Sequence, residues 1–563
     1  MKNVRATALM LTLILTFTIA SPVYTAANQS ANPDGQKTEG ALRQSPSPKP
    51  TQSGKAKFVN KKRDASAEKL FRDGKKAFRE GHYEQAGNIY KQLTQLDNTD
   101  VQAHLNAAYA FLKNHDFQSG FDHASEVLKL NPNIARAYAI AGATLLRSGF
   151  VQEAVISLNQ AFKLDVKEPL AFGTAAEVDY YEGRAKESIY KAIRAHELDP
   201  SEPDFLMTIA RASSRLEMFE QAAEAYERFL AVAPITDKER RERITGLIQF
   251  YRQLAGIQVH EVSGQTSTEV PFQLGSDRRP YIRLKINGRD ATFVIDTGSG
   301  FTVISKEAAK KFKVSEIARG GRSQGVGGSG KFAIVYGLIK SLEFSDIKMR
   351  SIPCFIRPFH SDKDGEKDLQ ADGFIGLSIL SHFLTELDYQ DNVIRLNQET
   401  KRTLPVVAQT GTTVVPFRTT QNGLISVETE LDGKNRINAI LDSGASSTVI
   451  SVAAVERLRM REQIIKGQTT RVIGAGGISD NVELLHIRNC RVADLRQDNL
   501  RALVLDFDAI NETAGFEQSG ILGGDFLRHF SVTLDFVRGE IVLRPYTNSI
   551  KKITPVEKSQ NSD

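Results

Sequence analysis

Residues 258–400 and 412–546 carry one pattern written twice, offset by about 147 residues. Phe293-Val294-Ile295-Asp296-Thr297-Gly298-Ser299 answers to Asn438-Ala439-Ile440-Leu441-Asp442-Ser443-Gly444-Ala445, and each copy runs on into Thr-Val-Ile-Ser. Gly325-Val326-Gly327-Gly328 answers to Gly474-Ala475-Gly476-Gly477, and Phe374-Ile375-Gly376 to Ile521-Leu522-Gly523. His382-Phe383 and Leu387-Asp388-Tyr389 return as His529-Phe530 and Leu534-Asp535-Phe536. Alternating polarity, enrichment in Thr, Val and Ile, and glycine-rich turns make both copies β-structure. A duplicated unit with the same internal order implies two similar lobes in one polypeptide, so the active unit is expected to be a single chain.

The chemistry lies in the two Asp-Thr/Ser-Gly tripeptides. An apolar strand running into Asp-Thr-Gly places a carboxylate at the tip of a buried turn, where glycine lets the backbone bend without a side-chain clash. Two such carboxylates brought face to face cannot both ionise easily. They share a proton, so one serves as base while the other serves as acid. The lobes differ after the glycine, where Ser299 faces Ala445. A serine hydroxyl that donated to its carboxylate would make Asp296 the more readily ionised member and leave the shared proton on Asp442.

These residues resemble pepsin-like and retroviral-type aspartic proteases. The likeness covers roughly 290 residues and implies an all-β bilobal acid-protease fold, hydrolysis of peptide bonds by an Asp296/Asp442 dyad with a bound water, and no metal or other cofactor. It also implies that Thr297 and Ser443 bond across to the opposite loop. Gly298, Ser299, Gly444 and Ala445 complete the dyad loops, and the Phe374–Gly376 and Ile521–Gly523 segments pack beneath them. The glycine turns at 325–328 and 474–477 would be flaps, suited by permissive backbone to a moving hairpin tip. No flap tyrosine is evident, since Tyr336 lies past the first glycine turn. The alternative is a non-catalytic peptide-binding or scaffold protein with a degenerate protease fold.

Ahead of the duplication, residues 65–236 repeat with a period of about 34 residues. Turns between paired helices fall at Gly81, His115, Gly149, Gly183 and Glu217, and a small residue follows each at Ala86, Gly120, Ala154, Ser188 and Ala222. Small side chains there allow two helices to approach closely. Helix-ending positions recur at Asn98, Pro132, Val166, Pro200 and Pro234. The pattern resembles tetratricopeptide (TPR) repeats, which implies an all-α solenoid, capped by a helix within 237–256, with a concave face for a protein or peptide partner.

Lys2 and Arg5, the apolar run 6–20 and the small residues Thr25-Ala26-Ala27 are laid out as a signal peptide over residues 1–27, implying export to a periplasm or the exterior. An uncleaved segment would instead tether the chain to a membrane. Residues 28–63, rich in Ser, Pro, Gln and Lys, are expected to be a disordered basic linker, and residues 547–563 a flexible tail. Of the net charge of +6, the N-terminal segments supply +8 and residues 64–563 carry −2, so the folded part is almost neutral, which argues against nucleic-acid binding. Two cysteines, Cys354 and Cys490, exclude a disulfide scaffold but leave one disulfide open. The Gly325–Phe332 stretch imitates a phosphate loop, yet the following residues read as a strand rather than a helix. None of the ten histidines lies in a His-Glu-x-x-His motif. His382 and His529 are expected to be structural residues on the helix after each Gly turn. No serine sits in a Gly-x-Ser-x-Gly setting.

Overall fold

The computed structural model describes residues 63–325, 331–359, 370–398, 411–546 and 551–552. The signal and linker up to residue 62, and Val326, Gly327 and Gly328 of the first glycine turn, lie outside the described residues. Most of the tail lies outside them too. Lys551–Lys552 is an exception that corrects the flexible-tail expectation, because it pairs as a short strand with Leu495 and Arg496. Among the described residues no helix is long and apolar enough to cross a membrane.

The all-α solenoid is present as five helical hairpins and a closing helix. They are α1 (Ala65–Arg79) with α2 (Tyr83–Leu96), α3 (Val101–Lys113) with α4 (Phe117–Leu130), and α5 (Ala135–Arg147) with α6 (Val151–Leu164). Then come α7 (Pro169–Tyr181) with α8 (Ala185–Leu198), α9 (Asp204–Arg215) with α10 (Phe219–Val232), and α11 (Lys238–Leu254). The repeating turn residue has one cause. Gly81, His115, Gly149, Gly183 and Glu217 all take positive φ, between 59° and 84°, which ends one helix and reverses the chain into the next. The repeating small residue has another. Ala86, Ala154, Ser188 and Ala222 are wholly buried, and a Cβ on Gly120 would stand 2.9 Å from the Thr144 side chain and 3.2 Å from the Ala108 carbonyl. Aspartate side chains at 64, 100, 116 and 237 accept from backbone N–H groups to start four of the helices.

The β region is bilobal. Each lobe folds its dyad strand parallel to the short strand that precedes the Gly turn. Phe293, Val294 and Ile295 lie beside Gly373, Phe374 and Ile375, as Ala439, Ile440 and Leu441 lie beside Gly520, Ile521 and Leu522. The lobes join through six antiparallel strands, three from each. Ser267–Leu274, Val393–Asn397 and Leu384–Asp388 meet Phe530–Asp535, Glu540–Pro545 and Thr413–Pro416, and the seam pairs Thr385 with Leu534 and Asp388 with Ser531. One apolar core runs through both lobes, from Phe293 and Ile295 to Leu441 and Leu522. Cys354 and Cys490 are both buried and free, so the open disulfide is absent.

Array and lobes form one compact unit. Phe516 of the second lobe packs on Tyr181 of α7 with ring centroids 5.0 Å apart, and the Glu517 N–H donates to the Arg147 carbonyl at 2.9 Å. Arg215 of α9 donates to Thr419 Oγ1 at 2.8 Å, and Asn438 donates to the Gly149 carbonyl at 3.1 Å. The closing helix α11 meets the first lobe. Its Gly246 lies so close to the strand Ser315–Gln324 that a Cβ there would stand 2.3 Å from the Gly320 Cα. Tyr336 has a place here that its sequence position did not suggest. It is buried and stacks on Phe250 of α11, centroids 4.4 Å apart, so it anchors the first glycine hairpin to the array rather than reaching over a cleft.

Candidate active site

Each aspartate leaves the end of a buried strand and turns on a glycine. The Asp296 N–H donates to the Ile375 carbonyl and the Asp442 N–H to the Leu522 carbonyl, both at 3.0 Å. The segments beneath the loops thus hold the dyad strands by their backbone. Gly376 and Gly523 are tight, with room for no side chain: a Cβ would come 2.2 Å from the Phe301 carbonyl oxygen and 2.5 Å from Ser447. Gly298 and Gly444 bring the loops together, since a Cβ on Gly298 would lie 2.2 Å from the Asp442 carboxyl carbon, and one on Gly444 2.4 Å from Asp296 Oδ1. The two carboxyls therefore face one another across two glycines.

The neighbouring hydroxyls cross over. Thr297 Oγ1 accepts from the Ser443 N–H at 2.9 Å and donates to the Leu441 carbonyl at 2.7 Å. Ser443 Oγ accepts from the Thr297 N–H at 3.1 Å and donates to the Ile295 carbonyl at 2.8 Å. Both residues are buried. The result is a closed set of four hydrogen bonds tying lobe to lobe directly beneath the carboxyls.

Burial raises both carboxyls above the ordinary aspartate value, but unequally. Asp296 is held well above it by burial, by the charge of Asp442 and by the hydrogen bond shared with Asp442; the Arg279 charge and the Gly298 N–H oppose this. Asp442 is raised by burial, while the hydrogen bond from Asp296, the N–H groups of Gly444 and Ala445, and Arg279 all pull it back. Asp442 accepts from Gly444 at 2.8 Å and from Ala445 at 3.0 Å, whereas Asp296 accepts from Gly298 at 3.0 Å. The asymmetry expected from Ser299 is thereby reversed. Its hydroxyl turns away and donates to the Phe301 carbonyl at 2.7 Å, leaving the extra donor on the second lobe, where it is backbone. Burial and mutual charge thus weigh on Asp296, while the extra backbone donor favours the charged form of Asp442.

The start of the first glycine turn meets the second. A Cβ on Gly325 would stand 2.5 Å from the Ala475 Cβ and 2.8 Å from the Gly476 N, so Gly325 lies against the second turn. Gly474 pairs with Gly477 to close the second hairpin. A cavity of about 2930 Å³ is shared between the lobes and the array, for its walls include Asp296 and Asp442 as well as Tyr83, Lys113, Arg147 and Asp204.

Several residues at this site carry no sequence motif. Arg279, hydrogen-bonded to Asp277 and Tyr281, lowers both carboxyls. Arg357 lines the cavity, lies over the rings of Phe332, Phe359 and Phe374, and donates to the Ala475 carbonyl at 3.3 Å. Burial lowers its pKa and the charge of Asp296 opposes that, but among the described residues no carboxylate is salt-bridged to it. His382 and His529 sit just beyond the short helices Leu377–Leu380 and Gly524–Leu527 rather than on them, and their environments differ. His382 faces His260 and Glu217, a trio whose ligand atoms lie within 4.8 Å of one another and could hold a metal ion. The residues after the first glycine turn are the strand Lys331–Phe344, so no helix start is available to bind phosphate.

Residues 282–379 and 427–526, one stretch in each lobe, match the family described as aspartyl protease. The helical region is similar to the small glutamine-rich tetratricopeptide repeat-containing protein 2 of Mycosarcoma maydis. That relative is 32% identical over 113 residues, 20% of this chain and 32% of the relative, so the chain spans about a third of its length. Similar solved structures include a thermophilic TPR protein from Thermus thermophilus, at 16% identity and a TM-score of 0.29, covering 32% of this chain and 98% of that one. MamA from Desulfovibrio magneticus RS-1 is another, at 20% identity and a TM-score of 0.23, covering 31% and 98%. The chain thus carries TPR-like repeats followed by an aspartyl protease-like domain.

Proposed function

We propose that this chain is an exported endopeptidase of the aspartic type, whose repeat array receives a protein or peptide at the mouth of the cleft. The observation that carries this reading is the pair of buried, facing carboxyls locked by reciprocal hydroxyl bonds. In the reaction, ionised Asp442 takes a proton from a water held between the pair while that water's oxygen bonds to the amide carbon. The proton on Asp296 passes to the carbonyl oxygen. The tetrahedral diol then collapses, its hydroxyl proton returning to Asp296 as the carbonyl re-forms. Asp442 gives its proton to the departing nitrogen, and the C–N bond breaks. Export rests on the positive, apolar and small-residue order of residues 1–27.

Arg357 supplies the substrate preference. A half-buried guanidinium with no salt-bridged carboxylate among the described residues favours a ligand that brings one. The full chain, incubated with a mixed peptide library across pH and read by mass spectrometry, should therefore cut peptides with Asp or Glu enriched near the scissile bond. No cleavage at any pH would end the protease reading.

The pH profile has a definite sign. Activity rises as Asp442 ionises and falls as Asp296 loses its proton, and both limbs lie above where unperturbed aspartates would place them. Ser299→Ala should leave both limbs in place, because its hydroxyl serves the Phe301 carbonyl. Arg279→Gln should move both limbs to higher pH, since the cation favours both charged forms. The check is kcat/KM against pH on one peptide; a Ser299→Ala profile shifted toward neutral would restore the opposite assignment.

A further inference from the structure

Three side chains from separate parts of the chain converge where the array meets the first lobe. Glu217 sits in the left-handed turn between α9 and α10, His260 in the segment joining array to lobe, and His382 beyond the Gly376 turn. Glu217 Oε1 lies 3.0 Å from His260 Nδ1 and 4.0 Å from His382 Nε2, and the two imidazole centroids are 4.5 Å apart. The His260 side chain is nine-tenths buried, and its Nε2 is buried with no hydrogen-bond partner among the described residues. In a tetrahedral zinc site with bonds of about 2.0–2.2 Å, neighbouring ligand atoms are separated by roughly 3.3 Å. The separations of His260 Nδ1 and His382 Nε2 from Glu217 bracket that value, and one ligand atom from each residue lies within 4.8 Å of the others. Two imidazoles and one carboxylate are the donor set of a borderline-soft divalent transition ion, and they would leave a coordination position open. All three residues also line the shared cavity, which gives an ion a path of entry.

We propose that Glu217, His260 and His382 bind one divalent transition-metal ion of the zinc class, which clasps the last repeat turn to the connecting segment and the first lobe. The site is separate from the two aspartates, and its metal takes no part in their chemistry.

The test uses the full chain, stripped with chelator and titrated with Zn²⁺, with Co²⁺ as the spectroscopic probe. One equivalent of zinc should survive desalting and raise the apparent melting midpoint by about 2–4 °C at saturating metal. Co²⁺ should develop a visible ligand-field spectrum typical of low coordination number. His260→Ala and His382→Ala should each weaken zinc binding at least about 10-fold and abolish the spectrum. Glu217→Gln, in a partly exposed turn, is the variant least able to disturb folding and should do the same. Asp296→Asn and Asp442→Asn are the controls and should bind zinc like the parent. Equal zinc affinity in parent and histidine variants, or loss confined to the aspartate variants, would overturn the site, as would no retained metal in a folded parent.

Discussion

Asp296→Asn and Asp442→Asn are each expected to lower kcat/KM by about 100- to 10,000-fold, because a carboxamide can neither share the proton nor take one from water. The Asp296 variant should also be the more stable protein at neutral pH. A carboxyl whose folded pKa is raised contributes its full stability only below its unfolded value and loses it as pH climbs towards the folded one, whereas asparagine loses nothing. Thermal midpoints of the parent and Asp296→Asn should accordingly converge at acid pH and separate above it. Residual cleavage near the parental rate in either variant would remove the pair from the chemistry. A variant that is inactive but less stable at neutral pH would place Asp296 in a structural role.

Thr297→Ala should be nearly as severe, for a different reason. It strips the Ser443 N–H and the Leu441 carbonyl of their partner in a fully buried place, and each orphaned group costs about 1–3 kcal/mol. The seam between lobes should lose roughly 2–5 kcal/mol, visible as an earlier denaturation midpoint of the β-region, and activity should fall with it. Thr297→Ser keeps the hydroxyl and should stay close to the parent in both measurements. If the alanine variant unfolds like the parent, the crossed hydroxyls add nothing to lobe pairing.

What could be read in advance follows the reach of the forces involved. The repeat was legible because each helical hairpin is a local object, and its left-handed turn leaves a mark at Gly81, Gly149 and Gly183 that recurs at His115 and Glu217. The paired aspartates were legible because duplication wrote their surroundings twice. Their inequality was not. It depends on whether Ser299 Oγ points at a carboxylate or at the Phe301 carbonyl, and on a backbone N–H at Ala445 that every residue but proline would supply. Arg357 and Arg279 belong to no motif, and the Glu217, His260 and His382 trio gathers residues from distant segments. The place of Tyr336 was not legible because its partner, Phe250, lies in the helical array.

The contact between Gly246 and Gly320 bears on how such a chain can be inherited. Helix and strand approach so closely there that neither position tolerates a methyl group unless the backbone yields. An array borrowed from another protein would carry a side chain at the first position and ride up off the hairpin; a borrowed hydrolytic half would do the same from the other side. Exchanging either half for another would therefore require glycine at both positions before the helix could seat on the strand.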